Sequence, residues 1–443
     1  MNIQQERKEN DMRTVAILGL GYVGLPLALL FVKSGFRVLG IDPDTDKIDK
    51  LYKGSSYIHE IEDATVKEAM NSHRFLPTAQ YSAIEAAEAV IVCVPTPLTP
   101  YGTPDLSYLT GAISMLVPEM KAGQLVILES STYPGTTREV LLPIMSRRGL
   151  RVGIDYYAAY SPERVDPGNK QFPLEKIPKI VSGATAQCLE KISELYGSVF
   201  SRVHPVSSTD TAEMAKILEN TYRLVNISFI NEMAMLCDRL DLDIWEVIEA
   251  AGTKPFGFQK FFPGPGIGGH CIPVDPSYLL WKVKQHELNS EFIQLSNAVN
   301  HRMPHYIVQQ LKQALSPKSY SNANIMIYGV SYKKDIADYR ESAAIDLIAL
   351  LRLEGANVYY HDPFVPELSV SSTTLHSIEL TEECVHAMDA VVIATDHSSI
   401  PLELLTKHAA LLYDTRNVTK GMAAGKGLIR LGAGWRRHVA DST

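Results

Sequence analysis

Cysteine is scarce in this chain. There are five in 443 residues, Cys93, Cys188, Cys237, Cys271 and Cys384, with no CxxC pair among them. An odd, sparse set excludes a disulfide framework and offers no spacing for structural zinc, so no metal is expected and a reducing, cytoplasmic setting fits. No apolar run approaches the roughly 20 residues that a membrane helix needs. The start, MNIQQERKENDMRT, has no apolar segment of the kind a secretory signal carries. Positive charge is in deficit too: 42 Lys and Arg against 50 Asp and Glu leave a formal net charge of -8. That balance argues against a general nucleic-acid binder. Short repeats and low-complexity stretches are absent. What remains is 46% hydrophobic and 21% charged, a globular composition. The length exceeds one ordinary core and predicts two or three domains.

Apolar runs punctuated by glycine open the chain. TVAIL at 14–18 reads as a strand, 22–35 as a helix and RVLGID at 37–42 as a second strand; AVIVCV at 89–94 and QLVILE at 124–129 continue the alternation. This is the grammar of a parallel sheet covered on both faces. The middle differs. Residues 208–239 run without Pro or Gly and predict one long helix, followed by helical stretches at 243–251, 277–287 and 291–315. Alternation resumes with NIMIYG at 324–329, a helix at 342–355, NVYYHD at 357–362, AVVIAT at 390–395 and ALLYDT at 410–415. The expected fold is therefore α/β, with two Rossmann-like, doubly wound domains joined by an all-helical segment. The polar ends, 1–11 and about 433–443, are expected to fray.

Gly19-Leu20-Gly21-Tyr22-Val23-Gly24 sits between a predicted strand and a predicted helix. In that setting the first glycine permits a tight turn, the second admits a pyrophosphate and the third lets helix and strand approach. The helix N-terminus then faces the anion. Asp42 stands about 20 residues beyond the middle glycine, where an acid binds the ribose 2′-hydroxyl, and its charge would repel a 2′-phosphate. The cofactor expected is NAD; the alternative is a structural turn with a solvated aspartate. Val94-Pro95-Thr96-Pro97 and Glu129-Ser130-Ser131-Thr132 follow strands, at the edge where such sheets bind ligands, although plain loop chemistry explains them equally.

Residues 264–276 read GPGIGGHCIPVDP, with four glycines before Cys271. No regular helix or strand accommodates such a loop, and it is expected to offer backbone N–H groups and close approach to a ligand. Cys271 is either an accessible nucleophile or a small buried hydrophobe, and residue chemistry alone leaves both open. Beside an NAD site a cysteine has a specific use: its thiolate adds to an aldehyde, and oxidation of the adduct gives a thioester that water cleaves.

These motifs, with ESSTYPGTT, SPER, EMAKILEN from Glu213 to Asn220, and VSYKKDIADYRES, resemble the UDP-glucose/GDP-mannose dehydrogenase family over about residues 12–432. The resemblance implies a division into 12–206, an NAD-binding Rossmann domain; 207–316, a helical dimerisation domain bearing the nucleophile loop; and 317–443, a UDP-sugar-binding α/β domain. It implies a homodimer or larger homo-oligomer and a four-electron oxidation consuming two NAD and one water per sugar. Carried over by motif, Cys271 is the nucleophile. Lys216 stabilises the oxyanion with help from Asn220, Asp275 and Thr132 position or activate water, and Glu163 does acid–base work and thioester hydrolysis. Gly19, Gly21, Tyr22, Val23, Gly24, Asp42, Pro95, Thr96, Thr132 and Arg340 are expected at the cofactor. Glu163, Arg164, Lys216, Asn220, Phe262, Gly268, Lys333 and Arg416 are expected at the substrate. Without the family, Lys216 and Glu219 read as a solvated helix face, and Lys333 and Lys334 as surface charges.

The chain departs from the family's UDP-glucose enzymes, which carry GGSCFxKD at the nucleophile loop; here Gly268 to Asp275 read GGHCIPVD. Val274 replaces a lysine, and Pro167 replaces a second glutamate. These features resemble the branch acting on UDP-N-acetylhexosamines, and GSSYIHEIED at 54–63 favours UDP-N-acetylglucosamine over UDP-N-acetylmannosamine. The expected product is UDP-N-acetylglucosaminuronate. Two rivals are a two-electron hydroxyacid dehydrogenase, which needs neither the cysteine loop nor a second α/β domain, and a non-catalytic nucleotide-sugar sensor.

Overall fold

A computed structural model describes residues 12–165, 171–269, 271–370, 373–422 and 427–434. The expectations attached to Pro167, to His270 and to nearly all of the chain ends fall outside these residues. The chain forms two compact units, Met1–Glu219 with Ser277–Leu288, and Asn220–Pro276 with Asn289–Thr443.

The first unit is built on a sheet of eight strands: β1 (Thr14–Leu18), β2 (Arg37–Ile41), β3 (Phe75–Thr78), β4 (Ala89–Val92), β5 (Leu125–Leu128), β6 (Tyr157–Tyr160), β7 (Lys179–Gly183) and β8 (Val203–Pro205). They lie in the order β3-β2-β1-β4-β5-β6-β7-β8. All neighbours are parallel except β6 and β7, which run antiparallel. Every residue of β4 and β5 is buried, as continuous AVIV and LVIL runs require when helices cover both faces. The strand order reverses at β1, so the carboxyl ends of β1 and β4 flank the crevice where such sheets take ligands. The helix Gly24–Lys33 leaves β1 with eight of its ten residues buried. Pro26 costs nothing in its first turn, where the N–H would lack a helical partner anyway. The helix closes on Gly35 at φ +94°, whose N–H and that of Phe36 return to the carbonyls of Val32 and Phe31.

The second unit carries β9 (Asn324–Tyr328), β10 (Asn357–His361), β11 (Glu367–Val370), β12 (Thr373–His376), β13 (Ala390–Ile393), β14 (Leu412–Asp414) and β15 (Leu428–Arg430). Five of these form a parallel sheet, β10-β9-β13-β14-β15, while β11 and β12 pair as an antiparallel ribbon that the apolar pattern did not announce. Its helix Ala343–Leu353 is capped by Ser342, whose hydroxyl accepts from the Ala344 N–H.

Helices Thr209–Leu240, Ile244–Ala251, Asp275–Lys284 and Glu291–Leu315 fill the expected helical segment, and the α/β architecture on either side of it is the one expected. The long helix keeps 32 residues because nothing in it breaks the hydrogen-bond ladder. Among the described residues, no helix is long and apolar enough to cross a membrane.

Candidate active site

In the first unit, the glycine loop has the form a pyrophosphate requires. A Cβ at Gly24 would stand 1.8 Å from the Gly19 carbonyl oxygen, and one at Gly19 would stand 2.7 Å from the Cys93 carbonyl oxygen. A Cβ at Gly21 would meet open space. Two glycines thus seat the turn against the sheet, and the third leaves a clear approach to the backbone. The helix that follows has no acidic residue in its first turn and no side-chain cap, so no side chain competes with an anion at its N-terminus. Tyr22 is exposed at the loop's rim, beside half-buried Val23.

Asp42 is not a solvated aspartate. It is buried at the end of β2, with Oδ2 accepting from the Leu20 N–H at 2.9 Å and from Lys47 at 3.2 Å, and Oδ1 accepting from the Asp44 N–H at 3.0 Å. Tyr57, in the segment expected to distinguish the sugar, donates its hydroxyl to the Leu20 carbonyl at 2.5 Å. That segment therefore lies against the cofactor loop. These residues fit a dinucleotide.

The loops after β4 and β5 are tied together. Thr96 donates to the Ser131 carbonyl at 2.6 Å and Ser130 to the Val94 carbonyl at 2.7 Å, while Pro95 is exposed. Thr132 is fully buried, and its hydroxyl has no partner among the described residues. Such a group calls for a ligand or water. The next turn is held by Glu213 of the long helix, which accepts from the N–H groups of Gly135 and Thr137 and from the Thr137 hydroxyl. Burial pushes the Glu213 carboxyl up to about 7 against these three donors. Trp281 rests on Tyr133 at 5.0 Å between ring centroids, and Lys282 pairs with Glu139 at 2.7 Å.

Glu163 follows β6 and is buried. Its Oε1 accepts from the N–H groups of Arg164 and Val165, both at 2.7 Å, and its Oε2 accepts from Lys179 at 2.8 Å. Its backbone carbonyl accepts from the Lys216 ammonium at 2.6 Å. Lys216 is therefore no solvated helix residue; it is buried and aimed at the Glu163 segment. Burial pushes the Glu163 carboxyl up, but the Lys179 ammonium, the backbone donors and Lys216 outweigh it, and the net shift is downward. That favours a base over an acid at this position. Arg164 pairs with Glu219 at 2.6 Å and donates to the Pro178 carbonyl. Cys93 is buried, and burial and Glu129 hold its thiol well above the usual range, so it is not a nucleophile.

The second unit holds the cysteine loop. Cys271 is exposed; Cys93, Cys188 and Cys237 are buried and Cys384 is intermediate. The choice left open by residue chemistry falls to the accessible thiol. The Cys271 carbonyl accepts from the Asp275 N–H at 2.8 Å, placing the cysteine one turn ahead of the helix Asp275–Lys284. Asp275 is buried and accepts from the Asn220 amide at 2.6 Å.

The backbone N–H groups expected to serve a ligand are mostly committed to packing. Gly264 donates to Asn231 at 2.9 Å, Ile267 to Asn300 at 2.6 Å and Gly269 to the Arg340 carbonyl at 3.2 Å. The physical reason is burial, which leaves these donors no water to bond. The glycines serve the same end. A Cβ at Gly268 would come within 2.7 Å of the Glu341 carbonyl oxygen, and one at Gly269, at φ +86°, within 2.8 Å of the Tyr332 ring. Arg416 lies against Gly264 and donates to the Ala394 carbonyl at 2.9 Å. Phe262 is exposed and stacks on Trp245. Lys333 is half-buried, and Arg340 is exposed with its guanidinium on Asp338 at 2.6 Å.

Three groups escaped sequence reasoning. Lys179 carries no mark in the sequence, because the direction of β7 is invisible in the apolar pattern. His397 and Asp362, hydrogen-bonded at 3.1 Å and fully buried, sit after β13 and β10 beside the strand-order reversal of the second sheet. An ATDHSS run closing a predicted strand was the available signal for that pair.

Models of the UDP-glucose/GDP-mannose dehydrogenase family match the chain three times: the NAD binding domain over residues 13–200, the central domain over 210–302 and the UDP binding domain over 326–421. The chain is 36% identical to a UDP-N-acetyl-D-mannosamine dehydrogenase of Pyrococcus horikoshii, covering 93% of this chain and 97% of that one. It is 34% identical to a UDP-N-acetyl-D-glucosamine 6-dehydrogenase of Pseudomonas aeruginosa, covering 91% and 96%. Among solved structures, the UDP-D-ManNAc dehydrogenase of Pyrococcus horikoshii superposes with a TM-score of 0.88 at 35% identity, over 95% of this chain and all of that one. A UDP-glucose dehydrogenase of Pyrobaculum islandicum follows at 0.84 and 26%, over 96% and 98%.

Proposed function

The chain belongs to the UDP-glucose/GDP-mannose dehydrogenase family, and from that premise we propose that this NAD-dependent nucleotide-sugar dehydrogenase oxidises C6 of a UDP-N-acetylhexosamine to the carboxylate through an adduct on Cys271. UDP-N-acetylglucosamine is the substrate in our reading. The observation that carries it is the exposed thiol of Cys271, set by a tightly packed glycine loop at the start of a helix beside the Asn220–Asp275 pair.

NAD, when bound, takes up a hydride in each of the two successive oxidations. The chain's own groups do the rest. The Cys271 sulfur adds as thiolate to the C6 aldehyde, forming a C–S bond and leaving an alkoxide that takes a proton. Loss of hydride and of that proton converts the adduct to a thioester. Water adds, the C–S bond breaks, and the carboxylate leaves with the thiol restored. Lys216 offers its ammonium to the oxyanion with Asn220 in support. Glu163, held as a carboxylate, takes a proton from the attacking water. Asp275 and the Thr132 hydroxyl position water. The cofactor set is Gly19, Gly21, Tyr22, Val23, Gly24, Asp42, Pro95, Thr96, Thr132 and Arg340. Arg164, Phe262, Gly268, Lys333 and Arg416 complete the substrate set.

The departures of the nucleophile loop from the UDP-glucose pattern support an N-acetylhexosamine. A second reading, UDP-N-acetylmannosamine, is favoured by the relative of that name at 36% identity. We retain the three-domain division at 206/207 and 316/317. A homodimer is supported by the apolar residues that the long helix leaves exposed, among them Leu218, Tyr222, Phe229, Leu236 and Leu240.

The test is a panel of purified UDP-sugars with NADH counted per sugar consumed. UDP-N-acetylglucosamine should give the highest kcat/KM and two NADH. A preference for UDP-N-acetylmannosamine selects the second reading. One NADH per sugar sinks the four-electron mechanism, and none with any sugar favours a sensor.

A further inference from the structure

A fully buried ammonium in the first unit has no part in the mechanism above. Lys179 opens β7, and β7 is the strand that runs against its neighbour β6. A parallel strand would begin at the far edge of the sheet. The reversal brings the first residue of β7 to the carboxyl ends of β5 and β6, where Glu129 and Glu163 emerge. The Lys179 Nζ lies 2.8 Å from Glu163 Oε2 and 3.0 Å from Glu129 Oε2, and all three side chains are at most one-tenth exposed. Tyr196, from the helix Ala186–Gly197, donates its hydroxyl to the other Glu129 oxygen. The rings of Tyr196 and Phe200 stand 5.7 and 5.2 Å from the ammonium.

Two carboxyl groups compete for one cation, and their surroundings separate them. Glu163 has two backbone N–H donors besides Lys179, and Lys216 nearby. Among the described residues, the Glu129 carboxyl has only Tyr196 and its share of Lys179. The Glu129 carboxyl is accordingly pushed above the usual range by burial, while that of Glu163 lies below it.

We propose that Lys179 is a positioning residue: bridging Glu129 and Glu163, it fixes the Glu163 carboxylate as the base of thioester hydrolysis and, through the Glu163 carbonyl, the seat of Lys216. This rests on the reading of Glu163 given above. A bare carboxylate in so buried a place would take up a proton and lose its use as a base.

The test compares pH profiles of NADH formation, alongside an infrared titration of buried carboxyl groups, in three variants. In Lys179→Met the acidic limb of kcat should move up by at least about one pH unit. Its kcat at neutral pH should fall at least about tenfold, with KM for the UDP-sugar little changed. Lys179→Arg should restore most of the rate. Glu129 takes up its proton before Glu163 does, so Glu129→Gln removes no charge where Glu163 titrates and should leave the acidic limb in place. A general packing defect would move the limb in both variants, so a shift confined to the loss of the Lys179 charge identifies the role. If Lys179→Met does not fold, Lys179→Gln, which keeps a donor for the carboxylates and removes the charge, carries the test: a limb unmoved in it overturns the proposal. The infrared titration, with Glu163→Gln identifying the band, reads the same shift without turnover. Inactivity of the wild type on every UDP-sugar would remove the proposed function, whereas an unmoved Glu163 band would remove the role of Lys179.

Discussion

Glu213 should make the first unit lose stability as pH rises through neutrality. Its carboxyl is fully buried, and in the folded chain burial moves its pKa from 4.5 up to about 7. The unfolded chain gives the proton up near 4.5, so across that interval the folded state holds a proton that the unfolded state does not. Stability falls wherever the folded state binds more protons. The slope is about 1.4 kcal/mol per pH unit, and the whole loss is about 3 kcal/mol, complete above the folded pKa. Glu213→Gln removes the titration. It keeps an acceptor for Thr137 but turns an amide N–H toward the Gly135 N–H, a mismatch that costs about 1–3 kcal/mol at every pH. The wild type should therefore be the more stable protein at about pH 5, and its advantage should shrink by about 3 kcal/mol by about pH 8. Urea unfolding at each pH, read from Trp281 fluorescence with Trp245 and Trp435 replaced by Phe in both proteins, gives the difference. Other titrating groups cancel in it. Curves that stay parallel between the two proteins would refute the reasoning, because they would mean that Glu213 is ionised throughout.

Two further outcomes follow from the second unit. Cys271→Ser should lose NADH formation from UDP-sugars by at least about a thousandfold while NAD affinity, measured by calorimetry, stays within about twofold; full turnover would remove the covalent step. Gly268→Ala should lower the denaturation midpoint of the second unit by the equivalent of about 1–3 kcal/mol, since its Cβ meets the Glu341 backbone and the Tyr332 side chain. An unchanged midpoint would show that the loop can shift.

The sheets and the long helix were legible because their signals are local. AVIV and LVIL are buried on both faces, and 32 residues without a breaker leave little choice but helix. The glycine turn and Asp42 were legible from spacing. The hidden parts depend on strand direction and on partners far along the chain. Lys179 reaches Glu129 across 50 residues and Glu163 across 16, by way of an antiparallel strand whose apolar run reads like any other. Asn231 and Asn300 each bind the cysteine loop across 33 residues, and neither carries a mark of that task. Accessibility of Cys271 was likewise undecidable from composition, since glycines that open a loop to a ligand and glycines that let it pack look the same.

Asp42 has a consequence for how this protein can change. The carboxylate proposed to read the cofactor's ribose also tethers the N–H of Leu20, and with it the turn that Gly19 and Gly24 press against the sheet. Recognition and scaffolding share two oxygen atoms. A substitution that welcomes a 2′-phosphate by deleting both oxygens, as Asp42→Ala does, unties the turn in the same stroke. A switch of cofactor preference at this position therefore has to shed the charge while keeping an acceptor for the Leu20 N–H, which asparagine does and alanine or glycine does not, so the turn narrows the residues through which such a change can pass.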